Sequence, residues 1–295
     1  MQSELFTTAE AADYLRLKER KLYELVSEGA IPCTKVTGKW LFPKADLDRW
    51  LARGLVRPAG VARPEPPPIL GGSHDPLIEW ALRESGSGLA SLPEGSERGL
   101  VRFEAGEVAA AAIHLHALGD VEDANVATVA SKPGYIDAVM IGLVRREQGL
   151  LVAEGNPLRI ADLPGAIQAG ATFALRPAGA GAQLLLLKLL AAAGSRFDDL
   201  RRLQPLCPTG PDLAQAIRSG RADVGIATRS VAVAAGLGFV PLIWEDFDLV
   251  LRQRQYFTPP FQALAAFLAS GRFRERAAEM TGYDTSMTGR VRWLG

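Results

Sequence analysis

The segment DLAQAIRSGRADVGIA, residues 212–227, reads as a helix followed at once by a buried strand. Gly220 ends the helix, since glycine readily adopts the left-handed backbone conformation found just past helix ends. Asp223 then precedes a short apolar run, and a run of this length between turn signals is typical of a strand covered on both faces. The segment therefore predicts one helix–strand unit of an α/β domain.

The same alternation runs through the chain from residue 69 onwards. The apolar runs that suit strands are Ala109–Ile113, Gly142–Val144, Gly149–Ala153, Ala171–Leu175, Ala222–Ala227 and Phe239–Ile243. The segments that suit helices include Ala182–Ala193, Asp212–Ser219 and Phe261–Ser270. Strands that alternate with helices predict an α/β fold with a parallel sheet.

The bulk composition is that of an ordinary globular protein. The 295 residues suit about two domains, with 48% hydrophobic and 22% charged residues. With 33 basic and 33 acidic residues, the chain has no overall positive field to attract nucleic acid. Two cysteines form no disulfide framework and no zinc motif. The N-terminal segment lacks the features of a secretory signal, and residues 180–194 are too short to span a bilayer, so we expect a cytoplasmic protein without membrane contact.

A proline-rich segment, RPAGVARPEPPP at residues 57–68, marks the strongest change in composition. Consecutive prolines favour an extended, semi-rigid chain, which suits a linker, although a long surface loop is the alternative. We therefore predict a domain at residues 1–56, a linker at 57–68 and a second domain at 69–295.

The first domain reads as helix, tight turn, helix, hairpin and helix. Thr7 and Glu10 form a capping box, in which the side chain of each residue bonds the backbone amide of the other. Gly29 ends the second helix. Alternating β-forming residues around Gly38 predict a hairpin, and Pro43 opens the third helix.

This order resembles the winged helix-turn-helix of the excisionase-like branch of the MerR superfamily. The resemblance covers residues 5–52 and rests on three motifs, which are met by Thr7, Glu10, Ala11, Ala12, Tyr14 and Leu15, by Leu22, Tyr23, Leu25, Val26, Gly29, Ile31 and Pro32, and by Gly38, Phe42, Asp46, Leu47, Asp48, Trp50 and Leu51. One departure is the segment 17–19, Leu-Lys-Glu, where the family usually has a serine or threonine cap. The resemblance implies that this domain binds double-stranded operator DNA.

Local charge agrees with DNA binding. Residues 1–57 hold 10 basic and 8 acidic residues, but the basic ones gather where a recognition helix would begin. Such side chains reach phosphates and base edges from a helix in the major groove, and a wing can reach backbone phosphates. A solvated charged face is the alternative. The predicted DNA-contacting residues are Arg16, Lys18, Arg20, Lys21, Lys35 and Lys39, with Tyr23 and Trp40 either contacting DNA or packing in the core.

The second domain resembles the type II periplasmic-binding fold. The phrases that carry the resemblance are GLLVAEGNPL and IADLP at 149–164, DLAQAIRSGRADVGIA at 212–227, and the closing helices at 261–289. Its relatives include molybdate-binding domains, LysR-type effector domains and domains of molybdopterin metabolism. The resemblance implies two α/β lobes joined by two crossing strands, with a ligand in the cleft between them.

The loop after the first predicted strand of this domain is a candidate ligand site. Ser73, His74 and Asp75 are the residue types of a hydrolase triad, but consecutive residues rarely place a histidine ring between the other two side chains. The chain also has no G-x-S-x-G motif. We expect Asp75 to cap a helix that begins with Pro76, and Ser73 and His74 to contact an anion, with pure capping as the alternative. We expect no enzyme.

Two further segments are candidates for ligand contact. On a strand, His114 and His116 face the same side, so they could contact an anion, play a structural role or, as the third choice, bind a metal. Relatives often carry R-x-x-G-S-G-T-R after a later strand; here Arg176, Gly179 and Gly181 match it, whereas Gln183 replaces the second arginine and alanines replace both hydroxyl residues. By this resemblance the predicted ligand-binding residues are Ser73, His74, His114, His116, Arg176, Gly179, Gly181 and Gln183.

Together these features predict a ligand-responsive transcription regulator that acts as a homodimer or a higher homo-oligomer without a cofactor. By resemblance the ligand is an oxyanion such as molybdate or tungstate, with a small carboxylate such as formate as the second choice. A molybdopterin-pathway or anion-binding protein without a regulatory role is the alternative, and a hydrolase is the least favoured one.

Overall fold

The protein is described by a computed structural model that covers residues 5–36, 38–54, 65–118 and 122–295. The chain divides into two compact units, residues 1–63 with 128–137 and Gly295, and residues 64–127 with 138–294. Most of the predicted linker at 57–68 lies outside the described residues, so the linker and the domain bounds drawn from it stay predictions.

The first unit has the helices and the hairpin that the sequence predicts. Its elements are β1 (Leu5–Thr7), α1 (Thr8–Tyr14), α2 (Glu19–Ser27), β2 (Thr34–Val36), β3 (Lys39–Pro43) and α3 (Lys44–Arg53). The three strands form an antiparallel sheet in the order β1-β3-β2, in which β1 extends the predicted hairpin. The capping box is confirmed: the Thr7 amide donates to Glu10 Oε2 at 2.8 Å and the Glu10 amide donates to Thr7 Oγ1 at 3.4 Å.

A small apolar core holds the three helices of this unit together. Ala11, Leu22, Phe42 and Leu47 are fully buried in it. Helix α2 begins without a side-chain cap at Lys18, where the sequence departs from the excisionase-like pattern.

The second unit carries one large mixed sheet. Its first elements are β4 (Ile69–Gly72), α4 (Pro76–Glu84), β5 (Ala90–Pro93), α5 (Ser96–Ala105), β6 (Ala110–Ile113), α6 (Ala124–Ala130), which extends past the unit's boundary, β7 (Ala138–Val152), α7 (Leu163–Gln168), β8 (Thr172–Phe173) and α8 (Gly181–Ala192). Then follow β9 (Arg201–Arg202), α9 (Gly210–Arg218), β10 (Val224–Thr228), α10 (Arg229–Ala235), β11 (Gly238–Arg252), α11 (Gln253–Tyr256), α12 (Pro259–Leu268), α13 (Gly271–Met280), β12 (Tyr283–Asp284) and β13 (Val291–Leu294). Short 3-10 helices lie at Pro133–Tyr135 and Phe197–Asp199.

The prediction of a parallel sheet is wrong for the centre of the sheet. The order is β5-β4-β6-β11-β7-β10-β8-β9, with β12 and β13 beside β7. Pairs at both ends are parallel, as in β4 with β6 and β8 with β10, whereas β7 and β11 run antiparallel to their neighbours. The antiparallel arrangement was not visible in the sequence, because the polar residues 145–148 divide the single 15-residue strand β7 into two apparent apolar runs.

The two long strands β7 and β11 each take part in two separate cores. The first half of β7, with Val139 and Leu143, packs with α4, α12 and α13 in one core. Its second half, with Leu150 and Val152, packs with α7 and α8 in another. The second unit is therefore a two-lobed domain joined by two crossing strands, as the resemblance implies. No helix among the described residues is long and apolar enough to cross a membrane.

Candidate ligand-binding site

A small cavity lies within the second unit, where strand ends and helix starts of both lobes meet. Its volume is about 30 Å³. One water molecule needs roughly 10–15 Å³ by this kind of measure, so the cavity suits a ligand of few heavy atoms. Its lining residues include Ser73, His74, His114, Arg146, Gln148, Arg176, Gly181 and Thr228.

The loop after β4 places Ser73 and His74 at the cavity, as the sequence predicts. Gly72 allows this turn: its φ is +105°, and a Cβ there would lie 2.2 Å from the Ala112 carbonyl oxygen. Ser73 Oγ lies 2.8 Å from Ser96 Oγ, which in turn accepts from the His114 amide at 3.0 Å. The Ser73 hydroxyl is therefore oriented by its neighbours.

The geometry excludes a Ser73-His74-Asp75 triad. The Asp75 carboxylate caps α4 by accepting from the amides of Leu77 and Ile78 at 3.0 and 3.1 Å. The same carboxylate forms an ion pair with Arg146, and His74 Nε2 lies 3.4 Å from a Glu79 oxygen. The predicted capping role of Asp75 is confirmed, and no base–orienter contact exists between Asp75 and His74.

A buried network of charges forms one wall of the cavity. Glu245 on β11 accepts on one carboxylate oxygen from Arg146 Nε at 2.7 Å and Gln148 Nε2 at 2.9 Å. Its other oxygen lies 3.0 Å from His114 Nδ1 and 2.8 Å from His116 Nε2. Arg146 is 1% exposed, and its Nη1 donates to Asp75 at 2.8 Å. Every charge in this wall thus has a partner of opposite sign.

The protonation states in this wall follow from burial and neighbouring charge. Burial lowers the pKa of His114 to about 4, although Glu245 opposes the shift. Burial alone would raise the pKa of Glu245, but His114 and Arg146 outweigh it and hold that pKa well below its usual value. At neutral pH His114 is therefore neutral and Glu245 is a carboxylate.

His114, His116 and Glu245 could hold a metal by distance, since their ligand atoms lie within 4.8 Å of one another. The charges argue against a cation. Both oxygens of Glu245 already accept hydrogen bonds, and the Arg146 guanidinium lies 2.7 Å from one of them. Both histidines bond Glu245, but only His114 lines this cavity, and ligand contact by either histidine stays a prediction.

The opposite wall comes from the second lobe and carries Arg176. Its Nη2 donates to the Pro208 carbonyl at 2.7 Å, but its buried Nε has no partner. Burial lowers the pKa of Arg176 to about 10, and the charge of Arg146 adds to the effect, so the group stays charged at neutral pH. Among the described residues no carboxylate forms an ion pair with Arg176. An unpaired buried donor costs about 1–3 kcal/mol, which a bound acceptor would recover.

The helix α8 begins beside Arg176. Ala180 at its start offers no side-chain cap, so the first amides of this 12-residue helix are open to a ligand. Gly181 lets the helix come close to the first lobe, since a Cβ there would lie 2.2 Å from the His114 carbonyl oxygen. Gly179 and Gln183, which were also predicted to bind ligand, do not line the cavity; Gln183 is buried within α8.

Four residues at the site were not predicted from the sequence, namely Arg146, Gln148, Glu245 and Thr228. Arg146 and Gln148 are two residues apart on a strand, so they face the same side. Both stand between apolar runs within β7. A pair of polar residues with this spacing inside an apolar strand is the signal that could have found them.

A second, larger cavity of about 170 Å³ has Glu245 and His116 in its lining. Its lining includes four carboxylates, from Glu122, Asp123, Glu245 and Asp246. Lys188 is the basic residue in its lining. This acidic lining disfavours an anion, so the smaller cavity is the better candidate site.

In the first unit, the predicted DNA-contacting residues form an exposed basic group. Arg16 and Lys18 precede α2, and Arg20 and Lys21 lie in its first turn; all four are exposed. Lys35 and Lys39 are exposed on the hairpin and Tyr23 is exposed on α2. Trp40 is half-buried and packs against the core, with Lys35 Nζ 5.1 Å from its ring centroid.

Comparisons with known proteins match a family model to each of the two units. The family model described as a helix-turn-helix domain matches residues 5–54, and the model described as a PBP superfamily domain matches residues 79–269. The curated protein YvgK of Bacillus subtilis, which is described as uncharacterized, is 23% identical over 97% of both chains.

Solved structures share the fold at low identity. OxyR from Corynebacterium glutamicum, bound to hydrogen peroxide, has a TM-score of 0.51 and 13% identity over 93% of this chain and 89% of that chain. A phosphate-bound substrate-binding protein from Clostridium perfringens has a TM-score of 0.53 and 12% identity over 73% of this chain and 98% of that chain. A DNA-binding domain joined to a ligand-binding fold is the composition of a ligand-responsive regulator, a class that is typically non-enzymatic.

Proposed function

Because the chain belongs to the PBP superfamily and carries a helix-turn-helix domain, we propose that it is a cytoplasmic transcription regulator that senses a small anion. The observation that supports an anionic ligand is the unpartnered Nε of Arg176, a residue of the cavity lining, together with the open amides at the start of α8. A guanidinium and helix amides together favour an oxygen anion. Molybdate and tungstate are the candidates by family resemblance, followed by small carboxylates such as formate.

Ligand binding can regulate only if it favours one conformation of the protein. The cavity takes residues from both lobes, with His114 on one side and Arg176 on the other, and the lobes are joined by β7 and β11. An anion that contacts both walls stabilises the closed arrangement of the lobes. We propose that this closure changes DNA affinity in a homodimer, since a single small module recognises little sequence by itself.

A thermal-shift screen of the full chain tests the anion site. The panel contains molybdate, tungstate, sulfate, phosphate, bicarbonate, formate, acetate and glycolate. We expect at least one anion to raise the melting temperature, and Arg176→Gln to abolish that rise while the exposed control Arg201→Gln keeps it. A flat response of the wild-type protein to the whole panel would remove the proposed anion sensor.

The DNA-binding surface is tested by changing Lys18, Arg20 and Lys21 together to alanine. These side chains are exposed, so the fold should persist while phosphate contacts are lost. We expect a gel-shift assay with the DNA upstream of the protein's own gene to show at least about a 100-fold loss of affinity. The matched control changes Arg201, Arg218 and Arg254, three exposed arginines of the second unit, to alanine. If both variants bind this DNA with equal affinity, α2 is not the recognition helix.

A further inference from the structure

Two residues that line the cavity each have a buried polar atom without a partner in the described part of the chain, one an acceptor and one a donor. Gln148 is 2% exposed and lines the cavity, and its Oε1 has no hydrogen-bond partner. The unpaired donor is Nε of Arg176. A ligand that offers only acceptor oxygens satisfies the arginine but leaves Gln148 Oε1 unpaired or facing negative charge.

The orientation of the Gln148 amide follows from its partner. Its Nε2 lies 2.9 Å from Glu245 Oε1, which also accepts from Arg146. A carboxylate held ionised by its neighbours accepts and does not donate, so the amide nitrogen must face Glu245. The amide oxygen is consequently the end of the side chain that Glu245 does not hold.

His114 offers a second acceptor by the same argument. Its Nδ1 lies 3.0 Å from Glu245, so in the neutral ring Nδ1 carries the proton and donates. Its Nε2 then holds a lone pair and has no partner within the described part of the chain. Because the His114 ring lines the cavity, this lone pair is available to a donor on the ligand.

The charges limit how negative the ligand can be. Arg146 is paired with both Asp75 and Glu245, whereas Arg176 is paired with neither. The two guanidinium groups and the two carboxylates cancel, and His114 is neutral at neutral pH, so these five groups together carry no net charge. A monoanion leaves one unbalanced charge among these groups, but a dianion leaves two, which is more costly among buried groups.

We propose that the cavity binds a small, singly charged anion that also carries a hydrogen-bond donor, such as a short 2-hydroxy acid or a protonated oxyanion. The anionic oxygens face Arg176 and the amides of α8, and the hydroxyl donates to Gln148 Oε1. Glycolate and bicarbonate have this composition and few heavy atoms, which suits a cavity of about 30 Å³. Molybdate, tungstate, sulfate and formate lack the donor. The inference rests on the proposed anion sensor and replaces molybdate, tungstate and formate with donor-bearing monoanions as the expected ligands.

Isothermal titration of the full chain with matched anions tests this inference. Glycolate and acetate carry the same charge and differ by a hydroxyl group, and bicarbonate and sulfate differ in both charge and donor. We expect glycolate to bind at least 10-fold more tightly than acetate, and bicarbonate more tightly than sulfate or molybdate. Replacing Gln148 with methionine, which removes the acceptor at similar volume, should reduce the glycolate preference to less than about 3-fold.

The outcomes separate this inference from the proposed function. Tight binding of molybdate or sulfate, or equal binding of glycolate and acetate, overturns the donor-bearing ligand but leaves the anion sensor standing. No binding by any anion overturns both. Because the wild-type protein alone gives the glycolate-to-acetate ratio, the test holds even if Gln148→Met does not fold. An unchanged ratio in a folded Gln148→Met protein would move the acceptor role from Gln148 to His114 and contradict the assignment to Gln148.

Discussion

The two arginines that line the cavity differ in how fully their guanidinium groups are paired. Arg146 on β7 is saturated, with ion pairs to Asp75 and Glu245 and its guanidinium 4.0 Å from the Phe247 ring centroid. Arg176 bonds one backbone carbonyl and keeps an unpartnered Nε. A saturated buried arginine contributes to folding, whereas an unsaturated one leaves free energy to be gained on binding. We therefore expect changes at Arg146 to affect mainly stability and changes at Arg176 to affect mainly ligand binding.

Arg146→Gln should have the largest effect on stability. The change leaves the carboxylates of Asp75 and Glu245 buried without their shared partner, and breaking such a pair typically costs about 3–5 kcal/mol. Urea unfolding of the variant against the wild-type protein measures the loss. A loss below about 1 kcal/mol would mean that Arg146 is not the structural arginine of the pair.

Gly181→Ala should come next, because the two walls touch at this residue. A Cβ at Gly181 would meet the His114 carbonyl oxygen at 2.2 Å and the ring Nδ1 at 2.4 Å, so the lobes must separate or the ring must move. Overpacking of this kind costs about 1–3 kcal/mol. It should also weaken any anion-induced rise in melting temperature. The control Gly271→Ala, which meets a single side-chain atom at 4.0 Å, should change stability by less than about 0.5 kcal/mol.

The pH dependence of stability should reflect the wall of the cavity that contains Arg146, Glu245 and His114. Burial lowers the pKa of His114 to about 4 from its usual 6.5, so the unfolded chain takes up this proton first as pH falls. Stability from His114 is therefore full above pH 6.5 and is lost as pH falls towards 4, by about 1–3 kcal/mol.

His114→Asn should flatten the loss of stability between pH 6.5 and 4.5. Asparagine does not titrate, and groups such as Asp248, whose pKa burial raises to about 6, contribute equally to both proteins. Thermal melts of the two proteins across this window give the difference. Parallel pH profiles would place the titrating group elsewhere.

Arg176→Gln should have the smallest effect on stability, within about 1 kcal/mol, because it removes a buried charge that has no ion-pair partner among the residues that the structure describes. The same change should abolish the response to anions. Chemical unfolding with and without a bound anion measures both quantities. A destabilisation as large as that of Arg146→Gln would erase the distinction between the two arginines.

The DNA-binding unit was more predictable from sequence than the cavity. The capping box of Thr7 and Glu10, the hairpin around Gly38 and the helix after Pro43 are local features, because each depends on residues a few positions apart. The β1 strand was missed because three residues are too few to show an alternating pattern. In the second unit, the cap at Asp75 was equally local and was predicted, and α8 was predicted from Ala182, one residue after its start at Gly181.

The chain by itself determined the two kinds of domain, the helix starts and the loop after β4, because spacing, capping and turn residues act over a few positions. Only the tertiary structure decided which charges meet. Arg146 and Glu245 are far apart in sequence, and β7 and β11 bring them to 2.7 Å. The same packing leaves Arg176 Nε and Gln148 Oε1 without partners. Whether a buried charge stabilises the fold or is left free to bind a ligand depends on neighbours from distant strands. Local sequence patterns do not specify these neighbours.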